Sequence, residues 1–146
     1  MEGKDEAASA EQDFRASLEA LEMYRAQLDA LYQQHELVRL SLEDHSRAAE
    51  TIRLYAEKGE GEELLVPIGG NSYIFAKVSA PKRAIVGIGS GIRLEEDAEK
   101  GLARLDKRVG ELRDAEGQLS AKVQELEAYC AALQEKLNRL YAHSDG

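Results

Sequence analysis

Few residues in this 146-residue chain have the types and spacing that chemistry requires. Gly87-Ile88-Gly89-Ser90-Gly91 has the glycine density of a phosphate-cradling loop. It lacks both the G-x-G-x-x-G spacing and the Lys-Ser/Thr pair of a nucleotide loop, and no βαβ unit follows, so it reads as a hairpin turn. His35 and His45 lie ten residues apart on one helical pattern, too far to chelate one ion, and His143 falls in the C-terminal tail. The first two read as polar residues that set register inside a seam, not as metal ligands. Cys130 has no positioned base and reads as a small seam residue facing Tyr24; a single cysteine also excludes an intrachain disulfide. The carboxylates are spread along helix faces, with nothing to pair an acid with a base in a pocket. Lys77, Lys82, Arg83 and Arg93 stand near Tyr73 and Phe75, but four scattered cations on a chain of net charge −9 suit soluble strand edges better than a nucleic-acid patch. No enzyme, metal, cofactor or nucleic-acid role is expected. What remains is apolar contact.

The elements that would position such contacts follow from the pattern. Charged residues make up 32% of the chain, aromatics 5%, and Trp is absent, which favours long helices over one large core. The length allows one or at most two domains. The start, MEGKDEAASAEQDF, lacks the basic and apolar regions of a signal peptide, and no apolar run nears the ~18 residues of a membrane span. A soluble, cytoplasmic protein without membrane partners is expected. The sequence divides into a flexible acidic tail over 1–13, a coiled-coil helix over 14–58, a neck over 59–63, a β block over 64–94, a second coiled-coil helix over 95–141 and a flexible tail over 142–146.

Heptads carry the helices. The first has a positions at Phe14, Leu21, Leu28, His35, Leu42, Ala49 and Ala56, with d positions at Ser17, Tyr24, Leu31, Val38, His45 and Ile52. The second has a positions at Leu102, Val109, Glu116, Val123, Cys130 and Leu137, and leucine at every d position from Leu105 to Leu140. Gly59 and Gly61 end the first helix, and Glu95, Glu96 and Asp97 are placed to favour the start of the second. Equal arm lengths suggest an antiparallel intrachain coiled coil in which facing residue numbers add to 154, projecting roughly 60 Å. Leu18, Tyr32, Tyr129 and Tyr141 fall on e or g positions where charge is usual; Leu54 and Tyr55 are expected to pack under the β block. Leu37 and Leu40 also lie off the seam, with no structural role assigned.

The block between the arms holds five of the twelve glycines and both prolines but no Asp or Glu. It predicts two hairpins, 64–68 with 72–78 and 84–88 with 92–94, turning at Gly69-Gly70-Asn71 and Gly89-Ser90-Gly91. Hairpins of this size are marginal alone and leave apolar faces and strand edges open, so an obligate oligomer is expected.

The segment Leu65-Val66-Pro67-Ile68-Gly69-Gly70-Asn71-Ser72-Tyr73-Ile74-Phe75-Ala76-Lys77-Val78, followed by Ile85-Val86-Gly87-Ile88-Gly89-Ser90-Gly91, closely resembles the two-hairpin block of archaeal prefoldin alpha subunits. Arm length and the antiparallel reading agree with it, so the resemblance covers nearly the whole chain. It implies a mainly α chain with a small β block: a long antiparallel coiled coil capped by two hairpins that assemble into an oligomeric β-barrel platform. It further implies a hexameric chaperone of two alpha and four beta subunits that holds unfolded polypeptides at coiled-coil tips and passes them to a group II chaperonin without nucleotide hydrolysis. Carried over by position, assembly would use Leu65, Ile68, Tyr73, Ile74, Phe75, Val78, Ile85, Val86, Ile88 and Ile92. The client-binding tip would comprise Phe14, Leu18, Leu21, Leu133, Leu137, Leu140 and Tyr141. The alternative is a structural coiled-coil adaptor whose block only oligomerises it.

Overall fold

The computed structural model describes residues 2–144. In chain order it has helix α1 (Glu2–Ala56), strands β1 (Glu63–Gly69), β2 (Ser72–Lys77), β3 (Arg83–Gly89) and β4 (Ile92–Asp97), and helix α2 (Ala98–Ser144). The fold class expected from sequence is the one observed: two long helices and two small antiparallel hairpins.

Several boundaries differ from expectation. Residues 2–13, read as a flexible tail, are helical and exposed. Glu2 and Asp5 sit in the first turn, where carboxylates offset the helix dipole. Residues 142–144 of the other expected tail continue α2, while 145 and 146 lie outside the described residues. The largest correction concerns Glu95, Glu96 and Asp97, which belong to β4 rather than to α2. Each has a ladder partner: Ile85, Ala84 and Arg83 respectively. The helix starts only at Ala98, whose N–H donates to the Lys82 carbonyl at 2.8 Å.

The chain divides into two compact units. The terminal unit joins residues up to Arg39 with those from Asp114 onward; the hairpin unit runs from Leu40 to Arg113. In the terminal unit the a and d residues are buried or half-buried, with Leu21, Leu126 and Ser17 deepest. Pairs across the helices fix the register. On the e edges Arg25 donates to Gln134 (3.1 Å) and Tyr32 to Glu127 (2.6 Å), numbers that add to 159. On the g edges Lys136 meets Asp13 at 2.9 Å, adding to 149. Flanking pairs symmetric about 154 are what an antiparallel seam in that register produces.

The hairpin unit shows the same register. Arg53 reaches Asp106 at 3.3 Å on the e edges. Ala49 and Leu105 share a buried cluster with Val86, ringed by Ala48, Ile52, Ala84 and Leu102. Hairpin 2 (β3–β4) therefore packs its inner face directly on the helix pair. Gly101 makes this approach possible, since a Cβ there would lie 2.8 Å from Val86 Cγ2. Tyr55 docks as expected, its hydroxyl accepting from the Ser79 and Ala80 N–H groups at 3.3 and 3.4 Å. Leu54 does not: it is exposed, because it lies on the helix face pointing away from the seam.

Both hairpins turn through two residues with positive φ, Gly70 and Asn71 (56° and 57°) and Ser90 and Gly91 (54° and 75°). This is the conformation whose twist matches the flanking strands, and it explains the Gly/Asn/Ser chemistry of both loops. Each hairpin also shifts register just before its turn, between Pro67 and Gly69 and between Gly87 and Gly89. The two are near repeats with a period of twenty residues.

Candidate interaction surfaces

Among the described residues no group of His, Cys, Asp and Glu is placed to hold a metal ion, and no helix is long and apolar enough to cross a membrane. Many large apolar side chains are exposed.

The heptad explains what the terminal unit exposes. Leu18 and Tyr141 occupy e positions that the register sets opposite one another, and they are 39% and 63% exposed. Farther along the same edge comes Tyr32, exposed, with its hydroxyl on Glu127. That bond raises the Tyr32 pKa, with desolvation adding to it, so the phenol stays a proton donor. On the other edge Tyr129 stacks at a tilt on Tyr24, ring centres 5.6 Å apart, rather than leaving Tyr24 to Cys130 alone. Tyr129 donates to Glu125 at 2.9 Å, which raises the phenol and, ahead of Lys122, lowers the carboxylate.

Of the seven residues expected at a client-binding tip, Leu18 and Tyr141 are exposed and Phe14, Leu133 and Leu140 half-buried. Leu21, only 1% exposed, and Leu137 are buried in the seam. Their a positions face the other helix, so they hold the helices together instead of offering surface. Met23 is a further exposed apolar residue of the terminal unit, at a c position where charge is usual.

Strand alternation sorts the assembly residues in the same way. One row of each hairpin is buried or half-buried: Leu64, Val66 and Ala76 in hairpin 1 (β1–β2), continued by Val78 just past β2, and Ala84, Val86, Leu94 and Glu96 in hairpin 2, whose Val86 and Ala84 pack on the helices; Ile74, opposite Val66, is exposed. Val78 and Val86 are thus core of their own chain, a correction to their placement in a subunit interface. Parity with Leu64 and Ala84 is the signal that would have shown it. Buried Glu96 keeps its charge company with Arg104, whose Nε donates at 2.7 Å. Leu65, Ile68, Tyr73, Ile74, Phe75, Ile85, Ile88 and Ile92 are exposed, Phe75 most of all at 76%. So many large apolar side chains on two small sheets form the kind of surface that marks an interaction site.

Comparison with known proteins agrees with this architecture. A family model described as Prefoldin subunit matches residues 24–143, beginning beyond Phe14, Leu18 and Leu21. The chain is 32% identical over 108 residues to prefoldin subunit alpha of Methanothrix thermoacetophila, covering 74% of this chain and 69% of the relative. It is 27% identical over 136 residues to the alpha subunit of Methanobrevibacter smithii, covering 93% and 92%. Its fold resembles filamentous prefoldin from Methanocaldococcus jannaschii, with a TM-score of 0.63 and 24% identity over 81% of this chain and 98% of that one. It also resembles the prefoldin beta subunit of Thermococcus strain KS-1, with a TM-score of 0.60 and 17% identity over 87% and 90%. With the matched region taking in α1 from Tyr24 onward, both hairpins and nearly all of α2, this chain belongs to the prefoldin family of chaperone subunits.

Proposed function

We propose that the chain is the alpha-type subunit of an ATP-independent holdase that assembles with beta-type subunits, two alpha to four beta, through its hairpins. The terminal unit holds non-native polypeptides and surrenders them to a group II chaperonin in the cytoplasm. One observation carries the reading: Leu18, Tyr32 and Tyr141 lie exposed along one edge of a coiled coil whose seam is already complete. A structural arm would carry charge at those e positions. Apolar contact has no directional requirement, so such an edge suits many sequences, and several arms acting together raise a weak contact to a useful affinity. The exposed hairpin residues support assembly into a β-barrel platform, because closure covers apolar faces and removes open strand edges. Release follows from competition for the client, and the chain performs no catalysis.

The test is light scattering from a chemically unfolded protein diluted into nucleotide-free buffer with the complex recovered on this chain. The reading expects suppression of aggregation at near-equal molarity. An intact complex that suppresses nothing would favour a structural adaptor.

A further inference from the structure

Charge is shared unequally between the two compact units. Residues 1–39 and 114–146 carry 15 acids against 7 Lys and Arg, whereas residues 40–113 carry 13 against 12. The net charge of −9 therefore belongs almost wholly to the terminal unit, and it reaches the exposed apolar edge. Glu22 and Asp29, both exposed, occupy b positions on the e side of α1, Glu22 four residues after Leu18 and Asp29 three before Tyr32. Glu127 accepts the Tyr32 hydroxyl from α2. Arg25 is the one cation between Leu18 and Tyr32. It donates to Gln134 and lies at helix-neighbour spacing from both Glu22 and Asp29.

An apolar edge alone selects little among sequences, because apolar contact is non-directional. A negative frame does select: it speeds the encounter with cationic segments and repels acidic ones, over about 8 Å at physiological salt. Asp13 and Glu36 of the same helix are neutralised by Lys136 and Arg39. Among the described residues neither Glu22 nor Asp29 forms an ion pair, so their charge is left for a partner. Tyr32 registers the resulting field. After its bond to Glu127 and its desolvation, the charges of Glu127 and Asp29 push the phenol pKa further up.

We propose that the terminal unit selects among non-native polypeptides by charge, holding segments that interleave Lys or Arg with aliphatic and aromatic residues in preference to acidic segments of equal apolar content. The client's apolar side chains cover Leu18, Tyr32 and Tyr141 while its cations stand against Glu22, Asp29 and Glu127. This rests on the client-holding reading above and adds to it a class of client. Each such ion pair stays wet, contributes little and is screened by salt. The preference comes from several pairs along one segment and from several arms acting together.

The test uses two fluorescently labelled peptides too short to fold, identical in their apolar residues and carrying Lys in one and Glu in the other at every remaining position. Each is titrated by anisotropy against the assembled complex recovered on this chain. At about 0.02 M salt the Lys peptide is expected to bind about tenfold more tightly than the Glu peptide, and at about 0.5 M salt the two should agree within about twofold. Glu22→Gln combined with Asp29→Asn should narrow the low-salt gap by about threefold in a complex of unchanged mass. Equal affinities at low salt, or tighter binding of the Glu peptide, overturn the preference. A gap that the double variant leaves untouched overturns its assignment to this edge. If neither peptide binds an intact complex at either salt, the client-holding reading itself fails, and the preference with it.

Discussion

Three glycines of α2, Gly101, Gly110 and Gly117, should respond to the same substitution with opposite signs. Alanine is favoured over glycine inside a helix by about 1 kcal/mol. At Gly110 and Gly117 a Cβ would meet nothing within 4 Å, so Gly110→Ala and Gly117→Ala should each stabilise by about that amount. At Gly101 the new Cβ would lie 2.8 Å from Val86 Cγ2 and 3.7 Å from Ala84 Cβ. Val86 is short, β-branched and stiff at χ1, and it is buried beside Ala49 and Leu105. Overpacking of this kind costs about 1–3 kcal/mol, which offsets the helix gain and leaves Gly101→Ala destabilised by up to about 2 kcal/mol. Val86→Ala alone should cost about 2 kcal/mol in transfer and cavity terms. In the double variant the methyl at 101 occupies the vacated space, so the losses should fall short of additivity by at least about 1 kcal/mol. Thermal melts of the assembled protein by far-UV circular dichroism read this directly, at about 2–4 °C per kcal/mol for a chain of this size. Three shifts of the same sign, or an additive double variant, would refute the claim that hairpin 2 is seated on α2 through Gly101.

Leu126→Ala, at a nearly inaccessible d position, should cost about 2–5 kcal/mol, whereas Leu18→Ala on the exposed edge should fall within about 0.5 kcal/mol; denaturation of matched samples compares them. Arg104→Ala leaves the Glu96 carboxylate buried without its 2.7 Å partner and should destabilise by about 1–3 kcal/mol, while Glu96→Gln with Arg104 retained should cost less in the same melts. Leu18→Ser combined with Tyr141→Ser should weaken aggregation suppression at unchanged melting temperature, measured by light scattering and circular dichroism on one preparation.

Most of the fold was legible because its signals are periodic. The 3-4 spacing from Phe14 to Leu140 named the seam residues, and equal arms named the register that Tyr32–Glu127 and Lys136–Asp13 then bracket. The Gly-rich turns named the hairpins. Boundaries were less legible, because the same residue types serve competing structures. Glu95, Glu96 and Asp97 look like a helix N-terminus, yet a strand partner and a cation await each or its neighbour, and the ladder wins. Residues 2–13 are polar enough for a tail, but Ala and Glu are also good helix formers, and continuation from an existing helix avoids the cost of nucleation. Within the surfaces, residue type pointed to the right neighbourhoods but not to the right side chains. Leu21 and Leu18 are chemically identical and differ only in heptad position, as Val78 and Leu65 differ in strand parity. Leu37, 69% exposed at a c position of α1, is not explained by this fold.

The central claim is that holding clients and assembling are separate tasks of the terminal unit and the hairpins. The most direct measurement removes residues 1–21 and 133–146 and compares the resulting complex with the intact one, first for assembled mass and then for suppression of aggregation without ATP. The account predicts a complex lighter only by the deleted segments that suppresses markedly less at equal molarity. Full protection by the truncated complex would contradict it.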